Sequence, residues 1–263
     1  MSAPTLQVRG LHKSFGGVTA VHDVSFEAYL GQVVAIIGPN GAGKTTLFNM
    51  ISGVFPPDDG EIWLNGHRLD RLPQHTIATL GVARTFQNMQ LFSNMTVLEN
   101  VMMGRYRHEQ TSFIEAALGL TNREESQTQA VAMQHLERVS LAKKADLPAS
   151  SLPLGEQRLL ELARALAVEP RLLLLDEPTA GLNAVDAVRL AATIGRIQAN
   201  NVTVLLVEHD MSMVMSVADW VVVLNYGEKL AEGRPEKIQT DPHVIEAYLG
   251  QENGQGNANG SWY

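Results

Sequence analysis

The chain has no cysteine among its 263 residues, which excludes disulfide staples and thiolate zinc sites and accords with a reducing, cytoplasmic setting. No window approaches the roughly 18 apolar residues that a membrane-spanning helix needs. The longest apolar runs are short, at 33–37, 172–175, 202–207 and 221–224, and read as buried strands. The first ten residues lack the apolar stretch of a signal peptide. Basic residues are the minority, with 20 Lys and Arg against 28 Asp and Glu, a formal net charge of −8. Affinity for nucleic acid through phosphate neutralisation is therefore not expected. There is no internal repeat. What the chain does have is apolar content for a sizeable core, 45% hydrophobic against 18% charged.

The short apolar runs alternate with helical patterns, which predicts an α/β sheet with helices on both faces. Early strands are expected at 6–9, 24–28 and 33–38. A turn at 56–60, rich in Pro, Asp and Gly, precedes extended structure at 61–64. Later strands begin at Leu172, Val202 and Val221. Between about 95 and 167 the strand signal disappears. Thr96 is placed to cap a helix beginning at Val97, with Glu99 at the capping-box position. Residues 124–139 and 156–168 show helical spacing, the second stopped by Pro170. A helical subdomain is thus expected as an insertion between two parts of the sheet. Residues 251–263, rich in Gly and Asn, read as a flexible tail.

The most specific signal is the stretch Gly38, Pro39, Asn40, Gly41, Ala42, Gly43, Lys44, Thr45, which fits the pattern Gly-x-x-x-x-Gly-Lys-Thr. It follows one predicted strand and opens a helical run at Thr46, the context a phosphate loop requires. Glycines let successive backbone N–H groups point into one concavity, and the helix N-terminus adds its dipole. Lys44 is suited to the β- and γ-phosphates of a nucleotide, and Thr45 offers a hydroxyl to Mg²⁺.

A second acidic site follows the strand at 172–175. Asp176 suits Mg²⁺ at a strand end, and Glu177 is the candidate to polarise an attacking water. Two carboxylates after a strand are common loop residues on their own. A phosphate loop in the same chain is what gives them a function. The strand at 202–207 ends in Glu208 and His209, where a histidine can reach a γ-phosphate as a hydrogen-bond donor.

Together these residues resemble the ATP-binding-cassette (ABC) ATPases over about 6–250. The resemblance implies a P-loop NTPase core with an antiparallel β-subdomain and an inserted α-helical subdomain. It places an ATPase domain at 4–250, with its core at about 4–87 and 168–250 and the helical subdomain at about 88–167. Residues 38–45 match the Walker A motif, and 172–177 match Walker B with its catalytic glutamate. Gln87, in Arg84-Thr85-Phe86-Gln87, matches the Q-loop glutamine, a catalytic and metal-contacting position. Residues 180–183 match the D-loop, His209 the switch histidine, and Phe15 the aromatic that stacks on adenine.

The family's signature loop, commonly Leu-Ser-Gly-Gly-Gln, is altered to Leu152-Pro153-Leu154-Gly155-Glu156. Gly155 retains an N–H for the γ-phosphate of a partner's ATP. Pro153 removes a serine hydroxyl and a backbone N–H. Glu156 is expected to add negative charge near that polyanion.

Three further stretches, 15–21, 84–92 and 241–250, look like the ATP-binding subunits of branched-chain amino-acid uptake systems. That resemblance implies an importer bound to ATP and Mg²⁺ on the cytoplasmic face of the membrane, without nucleic acid as a partner. Its expected partners are a second ATPase subunit (a different one, or alternatively a second copy), transmembrane permeases and, indirectly, a periplasmic solute-binding protein. Urea, short amides and other small polar solutes stay open as cargo, since no residue here touches it. The alternative from another class is a soluble ABC ATPase used as an ATP-driven conformational switch. A single cassette, no coiled coil and an acidic balance favour the transporter.

Overall fold

The computed structural model describes residues 3–85, 91–105 and 121–252. Two sheets organise it. The smaller has order β2-β1-β4-β5, formed by β1 (Leu6–Phe15), β2 (Val18–Ala28), β4 (Asp59–Leu64) and β5 (His67–Arg68). All its pairings are antiparallel. The larger has order β10-β9-β3-β8-β7-β6, formed by β3 (Val33–Ile37), β6 (Val82–Arg84), β7 (Leu172–Asp176), β8 (Thr203–Val207), β9 (Trp220–Asn225) and β10 (Glu228–Gly233). It is parallel except for the β9–β10 hairpin.

The central strands β3, β7 and β8 are buried along their whole length, as a parallel sheet covered on both faces requires. Alternation divides their side chains between the two faces of the sheet. Val34, Ile36, Leu174, Leu205 and Val207 face the antiparallel sheet and α1 (Lys44–Ile51). Val33, Leu173, Leu175, Val204 and Leu206 face a core built largely from helices. Those helices are α3 (Val97–Arg105), α4 (Thr121–Arg138), α5 (Leu154–Leu166) and α6 (Ala184–Ala199), while α2 (Gln74–Thr79) lies beside β6. Ala35, Ile37, Val221 and Val223 pack against α7 (Met211–Val217), α8 (Pro235–Gln239) and α9 (Pro242–Glu252).

Among the described residues, only helical elements lie between β6 and β7. The capping box at α3 forms as its residues dictate. Glu99 Oε2 accepts from the Thr96 amide at 2.7 Å, and Thr96 Oγ1 accepts from the Glu99 amide at 3.2 Å. β1 and β2 are longer than their apolar stretches. They are half-exposed antiparallel strands carrying register shifts, so many of their residues are polar. β4 starts at Asp59, earlier than expected, because Gly60 (φ 93°) packs against the backbone of Gly10. α5 begins at Leu154 rather than 156. Pro153 holds the N-cap position without a side-chain cap.

Candidate functional site

Strand register assembles the site. Val207, which ends β8, pairs with Ile36 of β3 on one side and with Asp176 of β7 on the other. The loops after these three strands therefore open on one edge of the sheet, where α/β folds place their ligands.

After β3 the chain forms a cradle. A Cβ at Gly38 would lie 2.1 Å from the carbonyl oxygen of Leu224, and one at Gly43 2.4 Å from that of Ala20. Backbone blocks both positions, so only glycine fits. Beside Gly41 there is open space, and Asn40, Gly41 and Thr45 are exposed. Gly38, Pro39 and Ala42 are buried beneath them, and Thr46 is half-buried. The first turn of α1 carries no acidic residue to neutralise the positive end of its dipole. Lys44 is 6% exposed and folds back on the loop. Its Nζ donates to the carbonyls of Gly38 at 2.6 Å and Pro39 at 2.9 Å. Burial holds its pKa below the ordinary lysine value, while the charges of Glu177 and Asp176 pull the other way. A desolvated ammonium satisfied only by carbonyls is ready for an anion.

On the neighbouring strands, Asp176 is buried and its Oδ2 accepts from Nη2 of Arg84 at 2.8 Å. Glu177 sits at φ 46°, fixed by its amide donating to the Val207 carbonyl at 2.9 Å. Its Oε1 stands 2.6 Å from Nε2 of His209. Glu208 is buried beside that histidine. It accepts from the Thr179 amide at 2.9 Å, the Thr179 hydroxyl at 2.6 Å and the His209 amide at 3.1 Å. This carboxylate fixes the loops after β7 and β8 to each other.

Phe15 ends β1 at the hairpin turn, and its ring is 48% exposed. It packs edge-on against Phe55 with centroids 5.3 Å apart, and Lys13 Nζ stands 5.5 Å from both rings. The same hairpin brings Ala20 and Val21 against Gly43, which places Phe15 near the mouth of the cradle.

Gly155 opens α5. A Cβ there would lie 2.3 Å from Cγ of Asp186 on α6, so the carboxylate of Asp186 rests on the glycine itself. The expectation that Glu156 adds free negative charge is corrected by its partners. Lys144 Nζ donates to its Oε2 at 2.5 Å, and Arg189 stands 3.8 Å from its Oε1. Gln87, named above on family resemblance, lies outside the described residues.

Sequence reasoning gave no role to Arg84, Glu208, Asp186, Lys144 or Tyr248. Tyr248 of α9 packs against the core that includes Ile37, at the end of β3. Burial pushes its phenol up to about 12, an effect the Gly38 backbone amide opposes. Adjacency to His209 was the one available signal for Glu208. The others act across long sequence separations.

Among the described residues, no three His, Cys, Asp or Glu side chains gather as a metal site. Oxygen donors near the loop include the Thr45 hydroxyl and the Asp176 carboxylate. That set suits a hard cation that arrives bound to phosphates and keeps most of its other ligands.

A sheet edge that offers backbone amides and a desolvated ammonium after one strand, and carboxylates after the next two, belongs to a P-loop nucleotide-binding protein. Known proteins narrow the class. The family described as ABC transporter matches residues 21–180, and that described as branched-chain amino acid ATP-binding cassette transporter matches 228–253. The chain belongs to the ABC transporter family and is an ATPase.

It is 48% identical over 255 residues to the high-affinity branched-chain amino acid transport ATP-binding protein BraF of Pseudomonas aeruginosa, spanning 95% of this chain and 100% of that one. To the corresponding protein LivG of Escherichia coli K12 it is 43% identical over 254 residues, with the same coverage. Among solved structures it is similar to the ADP conformation of MJ1267, an ATP-binding cassette of an ABC transporter. The TM-score is 0.84 at 31% identity, covering 95% of this chain and 100% of that one.

Proposed function

We propose that this chain is the ATP-binding subunit of an importer for branched-chain amino acids, seated peripherally on the cytoplasmic face of the membrane. Among the described residues no helix is long and apolar enough to cross a membrane, so transport would need separate permease subunits. The observation that carries the cargo reading is the match of 228–253, taken with relatives of that printed function over nearly the whole chain. We retain the division into a core at about 4–87 and 168–250 and a helical subdomain at about 88–167.

The chemistry assigned to the site follows from its geometry. Lys44 exchanges the carbonyls of Gly38 and Pro39 for the β- and γ-phosphates of ATP, while backbone N–H groups of the loop at Asn40, Gly41 and Gly43 and those of Lys44, Thr45 and Thr46 at the α1 N-terminus surround the phosphate chain. Phe15 offers its exposed face to the adenine. Thr45 and Asp176 would hold Mg²⁺, which when bound neutralises charge on the phosphates; Gln87 is the further contact the family pattern implies. Glu177 orients the attacking water and accepts its proton. The Nε2–H of His209 holds the carboxylate of Glu177 in place. The cradle is open on its outer side, so the γ-phosphate is available to Gly155 of a second ATPase subunit.

A groove of about 550 Å³ runs between the β6 edge and the helical segment, lined in part by Ala83, Arg84, Phe92, Met103 and Arg164. Phe92 and Met103 are exposed in it. We assign this groove, which mixes the apolar Phe92 and Met103 with Arg84, Glu161 and Arg164, to the permease, because it adjoins both the nucleotide edge and the helices that precede Gly155.

The test is purification of the tagged chain from its native membrane, followed by ATPase assays with leucine, isoleucine, valine, urea and acetamide supplied with the solute-binding protein. Stimulation by the branched-chain amino acids supports the reading. Co-purified permeases stimulated only by urea or amides would overturn the cargo. Absence of any permease would overturn the transport role.

A further inference from the structure

The helix face that presents Thr45 also carries Asn49 and Ser52, four and seven positions further on, which a helical period places in one row. Both hold Arg84. Nη1 of Arg84 donates to Asn49 Oδ1 at 2.7 Å and to Ser52 Oγ at 2.9 Å. Ser52 Oγ gives its own proton to the Phe48 carbonyl at 2.8 Å, which leaves its lone pairs for the arginine. The guanidinium carbon lies 5.8 Å from the Phe48 ring centroid. Nη2 then reaches Asp176 Oδ2 at 2.8 Å, in a pair whose side chains are 9% and 8% exposed. A buried carboxylate without its cation would be costly, so this pair is not an incidental surface contact.

We propose that Arg84 is a positioning residue that sets the distance and orientation between Thr45 and Asp176, the two groups assigned above to Mg²⁺. The proposal rests on that assignment. Its physical basis is the rigid fork of the guanidinium. One nitrogen is fixed by the row on α1 and the other by the end of β7, so the plane of Asp176 is tied to the helix that carries Thr45. Oδ2 is engaged by Arg84, which leaves Oδ1 to face the metal or its water. Arg84 also closes β6 just before residues 86–90, and it lines the groove assigned to the permease. A shift in that groove therefore reaches the carboxylate through a single side chain. Lysine would supply the charge but not the fork.

The experiment is equilibrium binding of a fluorescent ATP analogue to the full chain, with Mg²⁺ and with EDTA. It compares wild type, Arg84→Lys, the double variant Asn49→Ala/Ser52→Ala, and Asp176→Asn. For Arg84→Lys the affinity gained from Mg²⁺ is expected to fall about tenfold, the lower end of what loss of an outer partner of a metal ligand costs. Binding in EDTA is expected to match wild type. The double variant keeps the arginine and shifts the Mg²⁺ dependence in the same direction, which decides the matter if Arg84→Lys does not fold. Equal losses with and without Mg²⁺ would overturn the proposal in favour of a merely structural role. A wild-type Mg²⁺ gain in Arg84→Lys or the double variant, alongside a lost gain in Asp176→Asn, would overturn the role of Arg84 alone. An unchanged gain in Asp176→Asn would overturn the metal assignment and the proposal together.

Discussion

Glu177 Oε1 and His209 Nε2 stand 2.6 Å apart although 32 residues separate them, because the Glu177 amide is bonded to the Val207 carbonyl of the adjacent strand. The histidine therefore reaches its partner across two parallel strand ends rather than along the chain. Exchange of Glu177 for Gln keeps the size of the side chain and removes the base. Turnover is expected to fall by roughly 10²- to 10⁴-fold while ATP binding persists. His209→Gln should lower turnover less, since its role is to hold the carboxylate. Steady-state hydrolysis measured beside nucleotide affinity checks both, and normal turnover in Glu177→Gln would remove it from the mechanism.

The place of a side chain at Gly155 is taken by the carboxylate of Asp186. Gly155→Ala is expected to displace that carboxylate, which also accepts from Nδ2 of Asn183 at 2.9 Å. The cost should be small, at most about 1 kcal/mol of unfolding free energy, because the atoms in the way are the end of a partly exposed side chain that can turn aside and alanine is the better helix former. Asp186→Ala in the same chain should recover much of it. Chemical denaturation of the two single variants and the double variant gives the coupling. Strict additivity would show that the contact is not the source.

The signature loop makes a charge prediction. Lys144→Ala leaves Glu156 with Arg189 at 3.8 Å as its remaining cation, on a loop assigned to a partner's nucleotide. Turnover of the assembled transporter should fall, and Glu156→Gln added to that variant should restore it. Stability should change little, because the Lys144 side chain is partly exposed. Converting Pro153 and Leu154 to Ser and Gly tests the same half-site from the other direction. Faster hydrolysis is expected, because the substitution restores a hydroxyl and a backbone N–H to the loop; unchanged rates with unchanged ATP affinity would show that Pro153 does not slow this half-site.

His135 on α4 gives an acid-sensitivity prediction. Burial pushes its pKa down to about 4; Arg138 and Arg105 add to the shift, and Glu169 opposes it. The folded state thus binds the proton more weakly than the unfolded chain, whose value is about 6.5. Stability contributed by the neutral ring is complete above pH 6.5 and is lost progressively as pH falls toward 4. His135→Leu should flatten the stability profile in that window, as urea midpoints at pH 7, 5.5 and 4.5 would show. An unchanged slope would assign the acid sensitivity to other groups.

The phosphate loop was legible because all of its chemistry lies in one short segment between a strand and a helix. Walker B and His209 were legible for the same reason, each being a polar group at the end of an apolar strand. β10 was not, since Glu228, Lys229 and Glu232 give an edge strand no apolar signature. Nor could the sequence show that Glu156 is neutralised, since Lys144 comes from a separate turn.

By itself, then, the sequence determined the α/β class, the phosphate-loop pattern and the polar groups Asp176, Glu177 and His209 at the strand ends, all set by local residue order and by resemblance in motif. Only the tertiary structure decided which distant groups face one another: Arg84 against Asp176, Asp186 against Gly155, and Tyr248 beside the loop. The reason is physical. Backbone geometry and strand burial are encoded within a few residues, whereas partners 92 positions apart, as Arg84 and Asp176 are, meet only when strand order and register bring them together.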